Sequence, residues 1–295
     1  MLDQANDLRH LVTNRDGLPA RRPAGRCRWI AVAGGKGGAG TTSVAIALTL
    51  ADRKRKSLLI DADPRHSDAA LRLGVEDHRT LGDLLAGRGL AEVVQTATNG
   101  VRLVPGRRDW DDLTGGSWAV VERIGEAVGR SDLDADVVVL DLGNSPDRTI
   151  AGLWQAADEA MIVTTPDIAS IVGAYEALKV LTNRGAAAPP TSVVVTMAAS
   201  SAAATTAYQR LAEAARRFLG LRLMGTVPPC APGWGFGIKK EKTNLNFHSP
   251  AADIGRKLSV AGRLLNWRKR AKSTGTRESN LLPDSMSAAS ADWLF

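Results

Sequence analysis

Trp29-Ile30-Ala31-Val32-Ala33-Gly34-Gly35-Lys36-Gly37-Gly38-Ala39-Gly40-Thr41-Thr42 passes from an apolar run through a glycine-rich turn into a helical stretch. The run Trp29–Ala33 reads as a short buried strand, and helical character begins at Thr41 and lasts to about Asp52. Between them the glycines let the backbone curl until successive N–H groups point inward at an anion, and the helix start adds its partial positive charge. Gly35, Lys36, Gly37, Gly38, Ala39, Gly40, Thr41 and Thr42 are therefore predicted to cradle the phosphates of a nucleotide, with the Thr42 hydroxyl on Mg2+. One position departs from the usual G-x-x-x-x-G-K-[ST] pattern: Thr41 stands where a lysine normally reaches the β- and γ-phosphates. A charge-assisted hydrogen bond of that kind contributes roughly 1.5–3 kcal/mol, so its loss is expected to weaken binding or slow hydrolysis by about one to two decades.

Outward from this loop, short apolar runs alternate with helix-like stretches. The runs are Ser57–Ile60, Val101–Val104, Val137–Leu140, Met161–Thr164, Ser192–Thr196 and Leu221–Val227; the helical stretches are 81–97, 117–128, 168–183 and 203–218. In 168–183 the spacing places Ile168, Ile171, Val172, Tyr175 and Leu178 on one face. Strands apolar on both faces and separated by helices predict an α/β fold, a doubly wound, mostly parallel sheet with helices on both faces. Two of the runs end in acids. Leu58-Leu59-Ile60-Asp61-Ala62-Asp63 closes on two carboxylates that suit Mg2+ or an attacking water, or else form a plain helix N-cap pair. Val137-Val138-Val139-Leu140-Asp141 ends in a third carboxylate, suited to the water shell of the metal.

Length and composition set the outer bounds. The chain has 295 residues, 44% of them hydrophobic, enough for one large α/β domain with tails. Cys27 and Cys230 lie far apart and the four histidines are scattered, so no zinc spacing exists and a reducing compartment is expected. The N-terminus lacks the apolar core of a signal peptide, and Val44–Ala51, the longest apolar-leaning run, is too short to span a bilayer. Net charge is +7, and seven cations without an acid between Arg256 and Lys272 account for all of it. A generally basic, DNA-binding surface is therefore not indicated; a local basic element is. Three sections are expected: 1–27, a short helix from Asp3 to Val12 and a basic linker; 28–267, the nucleotide-binding domain; and 268–295, a basic stretch and a Ser/Ala-rich tail of disordered composition.

The order of these motifs resembles the MinD/ParA family of P-loop NTPases, whose deviant loop carries the K-G-G-x-G seen at Lys36–Gly40. That resemblance covers about residues 28–267 and implies a MinD/SIMIBI-like fold, ATP and Mg2+ as ligands, and a homodimer in the ATP-bound state. It implies that Lys36 reaches the partner subunit's nucleotide, that Asp63 orients the attacking water, and that Asp141 holds the metal's water shell, with a small, mobile switch at Gly143. Lys36, Asp63 and Asp141 are thus the candidate catalytic residues, and Thr42, Asp63 and Asp141 the candidate metal set. The stretch Ala157–Asp167 with the helix after it resembles the family's dimer face. Thr196 stands where the family places an asparagine for adenine, and Pro228 ends a G-x-h-P turn beside the base.

Asp3-Gln4-Ala5-Asn6-Asp7-Leu8-Arg9 resembles the D-Q-A-x-x-L-R start of the FlhG branch (also FleN or YlxH). There this helix docks on the flagellar GTPase FlhF and stimulates it, so Asp3, Gln4, Ala5, Leu8 and Arg9 are the expected partner-binding residues. Gln4 suits the orientation of a water in trans. The resemblance implies control of the number and placement of flagella, with flagellar C-ring components as further partners. The segment 254–272, with Ile254, Leu258, Ala261 and Leu265 on one face, suits either a last core helix or peripheral attachment to the inner face of the cell membrane. A competing function is a scarcely hydrolysing scaffold of the TadZ/CpaE pilus-localisation type, motivated by Thr41 and Thr196.

Overall fold

A computed structural model describes residues 27–51, 55–106, 117–131, 133–146, 148–182 and 188–227. The expected partner-binding residues Asp3, Gln4, Ala5, Leu8 and Arg9, the turn residue Pro228 and the basic segment 254–272 lie outside them.

Eight strands form one sheet: β1 (Arg28–Gly34), β2 (Ser57–Asp61), β3 (Gln95–Thr96), β4 (Arg102–Val104), β5 (Val137–Asp141), β6 (Glu159–Thr164), β7 (Thr191–Val195) and β8 (Met224–Val227), in the order β3-β4-β2-β5-β1-β6-β7-β8. Every pairing is parallel except β3 with β4. The helices are α1 (Thr41–Ala51), α2 (Ala69–Leu73), α3 (Leu81–Leu85), α4 (Leu90–Val93), α5 (Ser117–Arg130), α6 (Arg148–Ala156), α7 (Ile168–Thr182) and α8 (Ser201–Leu219).

Alternation along the strands divides the core into two layers. Ala31, Ala33, Leu58, Ile60, Val138 and Leu140 face the larger layer, which α3 to α8 cover. Val32, Leu59, Val137 and Val139 face the other, covered by α1 and α2. Strands β5 and β6 are buried at every position, which is why they read as continuous apolar runs. Each fully buried Leu or Ile contributes roughly 1.5–3 kcal/mol by leaving water.

The sheet agrees with the expected α/β class, and three local expectations are corrected. The stretch 81–97 is not one helix: Gly87, at φ 103°, stops α3, a second short helix follows, and the chain then turns into β3. The final strand begins at Met224 instead of Leu221. On α7 the buried face is Ile171, Ala174, Ala177, Leu178 and Leu181, whereas Ile168 and Val172 are 70% and 48% exposed. Small alanines let this helix lie close to the sheet, so the larger apolar residues need not all point inward.

Candidate functional site

Strand β1 is central. Its next strand, β2, lies to one side beyond β5, and the later β6 lies on the other side. Ligands of open α/β sheets bind at such a reversal, outside the carboxyl ends of the strands, and the Gly35–Thr42 loop leaves β1 there. The loop is tied down by Gly34 N–H donating to Gly143 O at 2.8 Å, and α1 opens with Val44 N–H to Gly40 O at 2.9 Å. Gly38 (φ 82°) and Gly40 (φ 90°) occupy the left-handed region that the inward-facing amides need.

Gly35 has a second reason to be glycine. A methyl there would stand 1.9 Å from the backbone C and O of Gly173, and a methyl on Gly173 would stand 2.5 Å from Gly35 O. The loop and the middle of α7 thus touch backbone to backbone. Beside this contact the Lys36 ammonium donates to Asp167 Oδ1 at 2.9 Å, with both side chains 48% exposed. Asp167 is held down to about 2 by the Thr165 hydroxyl, then by Lys36 and by the Ser170 N–H that it caps.

The lysine-replacing residue does not point along the loop. Thr41 is buried, and a methyl on Gly34 would stand 2.5 Å from its Oγ1, so the side chain is packed back under the end of β1. Thr42 is also buried and its hydroxyl bonds Asp141.

The carboxylates gather where β2 and β5 end side by side, with Asp61 opposite Asp141 in register. Asp61 accepts from Asp63 N–H at 3.2 Å and from Ala69 N–H at 3.1 Å. Asp63 Oδ1 accepts from Arg65 N–H at 2.8 Å and His66 N–H at 3.0 Å, so the capping role is real for this oxygen. Its Oδ2 lies against Gly143, where any side chain would come within 2.1 Å of it. Asp141 Oδ1 accepts from Gly143 N–H at 3.2 Å, while Oδ2 is buried without a hydrogen-bond partner. Burial, and then the charge of Asp141, pushes Asp61 well above the usual carboxylate range. Burial likewise pushes Asp141 up to about 7, against the bonds from Thr42 and Gly143 and with the help of Asp63 and Asp68.

These residues fit a hydrated magnesium ion. Among the described residues no three His, Cys, Asp or Glu side chains converge as direct metal ligands. The Thr42 hydroxyl and the orphaned Asp141 Oδ2 instead offer one direct oxygen and one acceptor for metal-bound water, as suits an ion that keeps its waters.

Thr196 sits apart from this group. Its hydroxyl reaches Ala39 O at 2.6 Å and Thr164 O at 3.2 Å, which places it as a clip between the end of β7 and the phosphate loop. Next to it Met197 has φ 54° and is 60% exposed. The structure therefore brings Gly35–Thr42, Asp61, Asp63, Asp141 and Thr196 around one loop, and adds Gly173, Asp167 and Asn144, whose Nδ2 would lie 3.3 Å from a methyl on Gly37. A glycine inside the otherwise regular helix of α7 was a usable sign of close packing.

Residues 30–231 match the CobQ/CobB/MinD/ParA nucleotide binding domain. The chain is 32% identical over 206 residues to the antiactivator FleN of Pseudomonas aeruginosa, covering 68% of this chain and 72% of that one. It is 29% identical over 185 residues to the flagellum site-determining protein YlxH of Helicobacter pylori, covering 61% and 62% of the two chains. Among solved structures, cobyrinic acid a,c-diamide synthase from Mycobacterium smegmatis, with a bound ATP analogue and magnesium, has a TM-score of 0.61 at 20% identity, covering 82% of this chain and 96% of that one. At that identity the structural likeness concerns the fold.

Proposed function

This chain belongs to the CobQ/CobB/MinD/ParA family of nucleotide-binding domains, and from that premise we propose that it is a slow, ATP- and Mg2+-dependent dimerising switch of the FlhG branch that regulates the number and placement of flagella through an FlhF-like GTPase. The observation that carries it is the union of two features. One is the glycine loop closed against Gly173, with Lys36 at its rim; the other is the buried carboxylate pair at the ends of β2 and β5. FleN and YlxH supply the flagellar part of the reading.

Magnesium bound with ATP would neutralise part of the phosphate charge and supply polarised water. The chain's own parts would do the rest. Loop amides hold the phosphates, the Thr42 hydroxyl and Asp141 hold the hydrated metal, and Asp63 Oδ2 accepts a hydrogen bond from the attacking water. Lys36 leaves Asp167 and crosses to the partner subunit's nucleotide. Ile168 and Val172, exposed beside that lysine, give α7 apolar area for a second subunit. No described helix is long and apolar enough to cross a membrane. Location in the cytoplasm, with attachment to the inner face of the membrane in the ATP-bound state, is part of the proposal, as are C-ring components as further partners; DNA is not. The output is placed in Asp3–Val12, with Gln4 acting on the GTPase.

A second reading has its own observation. Thr41 is folded back under β1 and brings no charge to the phosphates, which suits a scaffold that binds nucleotide and scarcely turns it over. Phosphate release from wild type and from Thr41→Lys separates the two. The switch predicts measurable wild-type turnover that Thr41→Lys raises by about ten- to a hundredfold, whereas the scaffold predicts wild-type release at the blank rate. A peptide of residues 1–25 should accelerate GTP hydrolysis by FlhF; an unchanged rate removes the flagellar GTPase from the account.

A further inference from the structure

Asp68 precedes α2 as its N-cap residue, yet its side chain makes no cap hydrogen bond. Aspartate at this position ordinarily turns back onto the first-turn amides. Here the carboxylate is held elsewhere. Arg72 grips Oδ2 with Nε at 2.8 Å and Nη2 at 2.5 Å. Oδ1, on the other side of the same carboxylate, is buried and has no partner.

Its location follows from the neighbouring residue. Ala69 N–H donates to Asp61 Oδ2 at 3.1 Å, which pins the start of α2 to the end of β2. Arg72 stands one turn beyond Ala69, on the same side of the helix. Asp61 stands opposite Asp141 in register, so the start of α2 that Asp61 pins lies beside both carboxylates. Two buried carboxylate oxygens without partners, Asp68 Oδ1 and Asp141 Oδ2, therefore belong to one acidic cluster, and Asp141 is wholly buried. A lone buried acceptor costs free energy unless a donor arrives. Two of them in one cluster, too few for direct ligation, match the outward-facing protons of metal-bound water.

We infer that Asp68 is a further positioning residue of the site, accepting a hydrogen bond from a water on the divalent cation, and that Arg72 sets its orientation. This rests on the nucleotide–magnesium reading of the site. The cation's shell is then held from two directions, by Asp141 from β5 and by Asp68 from the start of α2. The helix that follows the Asp61–Asp63 switch thereby feels whether the metal is present.

The test uses the full chain, ADP and Mn2+ as the probe, with bound Mn2+ read by electron paramagnetic resonance and ADP affinity measured separately in EDTA. Asp68→Asn keeps the shape and removes the charge. It should weaken Mn2+ binding to the ADP complex by about tenfold, the usual size of an outer-shell loss, with ADP affinity in EDTA held within about twofold. Arg72→Gln, which frees the carboxylate without removing it, should lose a smaller part of the affinity on the same scale. Mn2+ affinity of Asp68→Asn within about twofold of wild type overturns the assignment, as does an equal loss of ADP affinity in EDTA, which would mark a purely structural ion pair. Should Asp68→Asn not fold, Arg72→Gln decides alone, and unchanged Mn2+ affinity there overturns the inference. Wild type that binds neither ADP nor Mn2+ would instead remove the nucleotide reading itself, an outcome distinct from any of these.

Discussion

The two flanks of the phosphate loop are held by opposite means. On the α7 flank the backbone of Gly35 meets that of Gly173, and the charged pair beside them, Lys36 and Asp167, is half in water. On the β2–β5 flank the contacts are between buried carboxyl groups and the backbone: Asp61 and Asp141 stand side by side, satisfied mainly by backbone amides. Shape holds the first flank, and backbone amides donating to carboxyl oxygens hold the second. A close-packed flank tolerates no added atom but loses little when its exposed ion pair opens. A buried-carboxylate flank responds to pH, and the partnerless Asp141 Oδ2 in it offers an acceptor to metal-bound water. The difference assigns rearrangement to the side of Lys36 and retention to the side of Asp141.

The strongest way to break this contrast is Gly35→Ala. The methyl cannot coexist with Gly173, so the loop must shift and lose aligned amides. Nucleotide affinity should fall by about a hundredfold or more, the equivalent of one to two charge-assisted hydrogen bonds. Binding of a fluorescent ADP analogue within a few-fold of wild type would show that the flank is looser than its geometry. Next in size is pH. Asp141, pushed up to about 7 in the folded protein, contributes stability that is full below the ordinary carboxylate range and is lost as pH rises through about 7, and Asp61, raised by burial, acts in the same direction. The nucleotide-free protein should be less stable at about pH 8 than at about pH 5.5 by about 2 kcal/mol from Asp141, with Asp61 adding in the same direction. Asp141→Asn should flatten that dependence, and urea melts at the two pH values read it directly.

Gly173→Ala sharpens the first flank at smaller cost. Alanine normally stabilises a helix interior by about 1 kcal/mol relative to glycine. Here the sign should reverse, with a loss of about 1–2 kcal/mol from overpacking against Gly35; a raised Tm would count against the contact. The smallest effect belongs to Lys36→Met. Half-exposed pairs contribute little, so Tm should move by no more than about a degree, while ATP-dependent dimer formation, followed by light scattering, should disappear.

Much of this was legible from residue order alone. Glycines between an apolar run and a helix can do few things other than curl around an anion, and apolar runs ending in Asp61 and Asp141 place carboxylates at the same sheet edge as the loop. Other parts depend on contacts that no local pattern encodes. Helix α6, from Arg148 to Ala156, earned no helical expectation because its buried residues, Ile150, Leu153 and Trp154, sit in a short segment, although Asp147 directly before it is a usable cap signal. Gly87 and Gly89 could have divided 81–97, since glycine so close to another breaks helical continuity. The face of α7 was misassigned because side-chain size was weighed above the small residues that permit close approach. The destination of the Thr196 hydroxyl, a carbonyl far back in the chain, has no signature at all in its own neighbourhood.

The position of β1 also carries a consequence in time. It is made early by the ribosome, yet its neighbours β5 and β6 start at Val137 and Glu159, and the Gly173 backbone that closes the loop comes later still. Non-local pairing of this kind is slow to form and leaves strand edges open meanwhile. A nascent chain halted before Gly173 would therefore carry the whole glycine motif without a loop able to hold phosphate. The protein acquires its ligand site only after most of the domain has been synthesised.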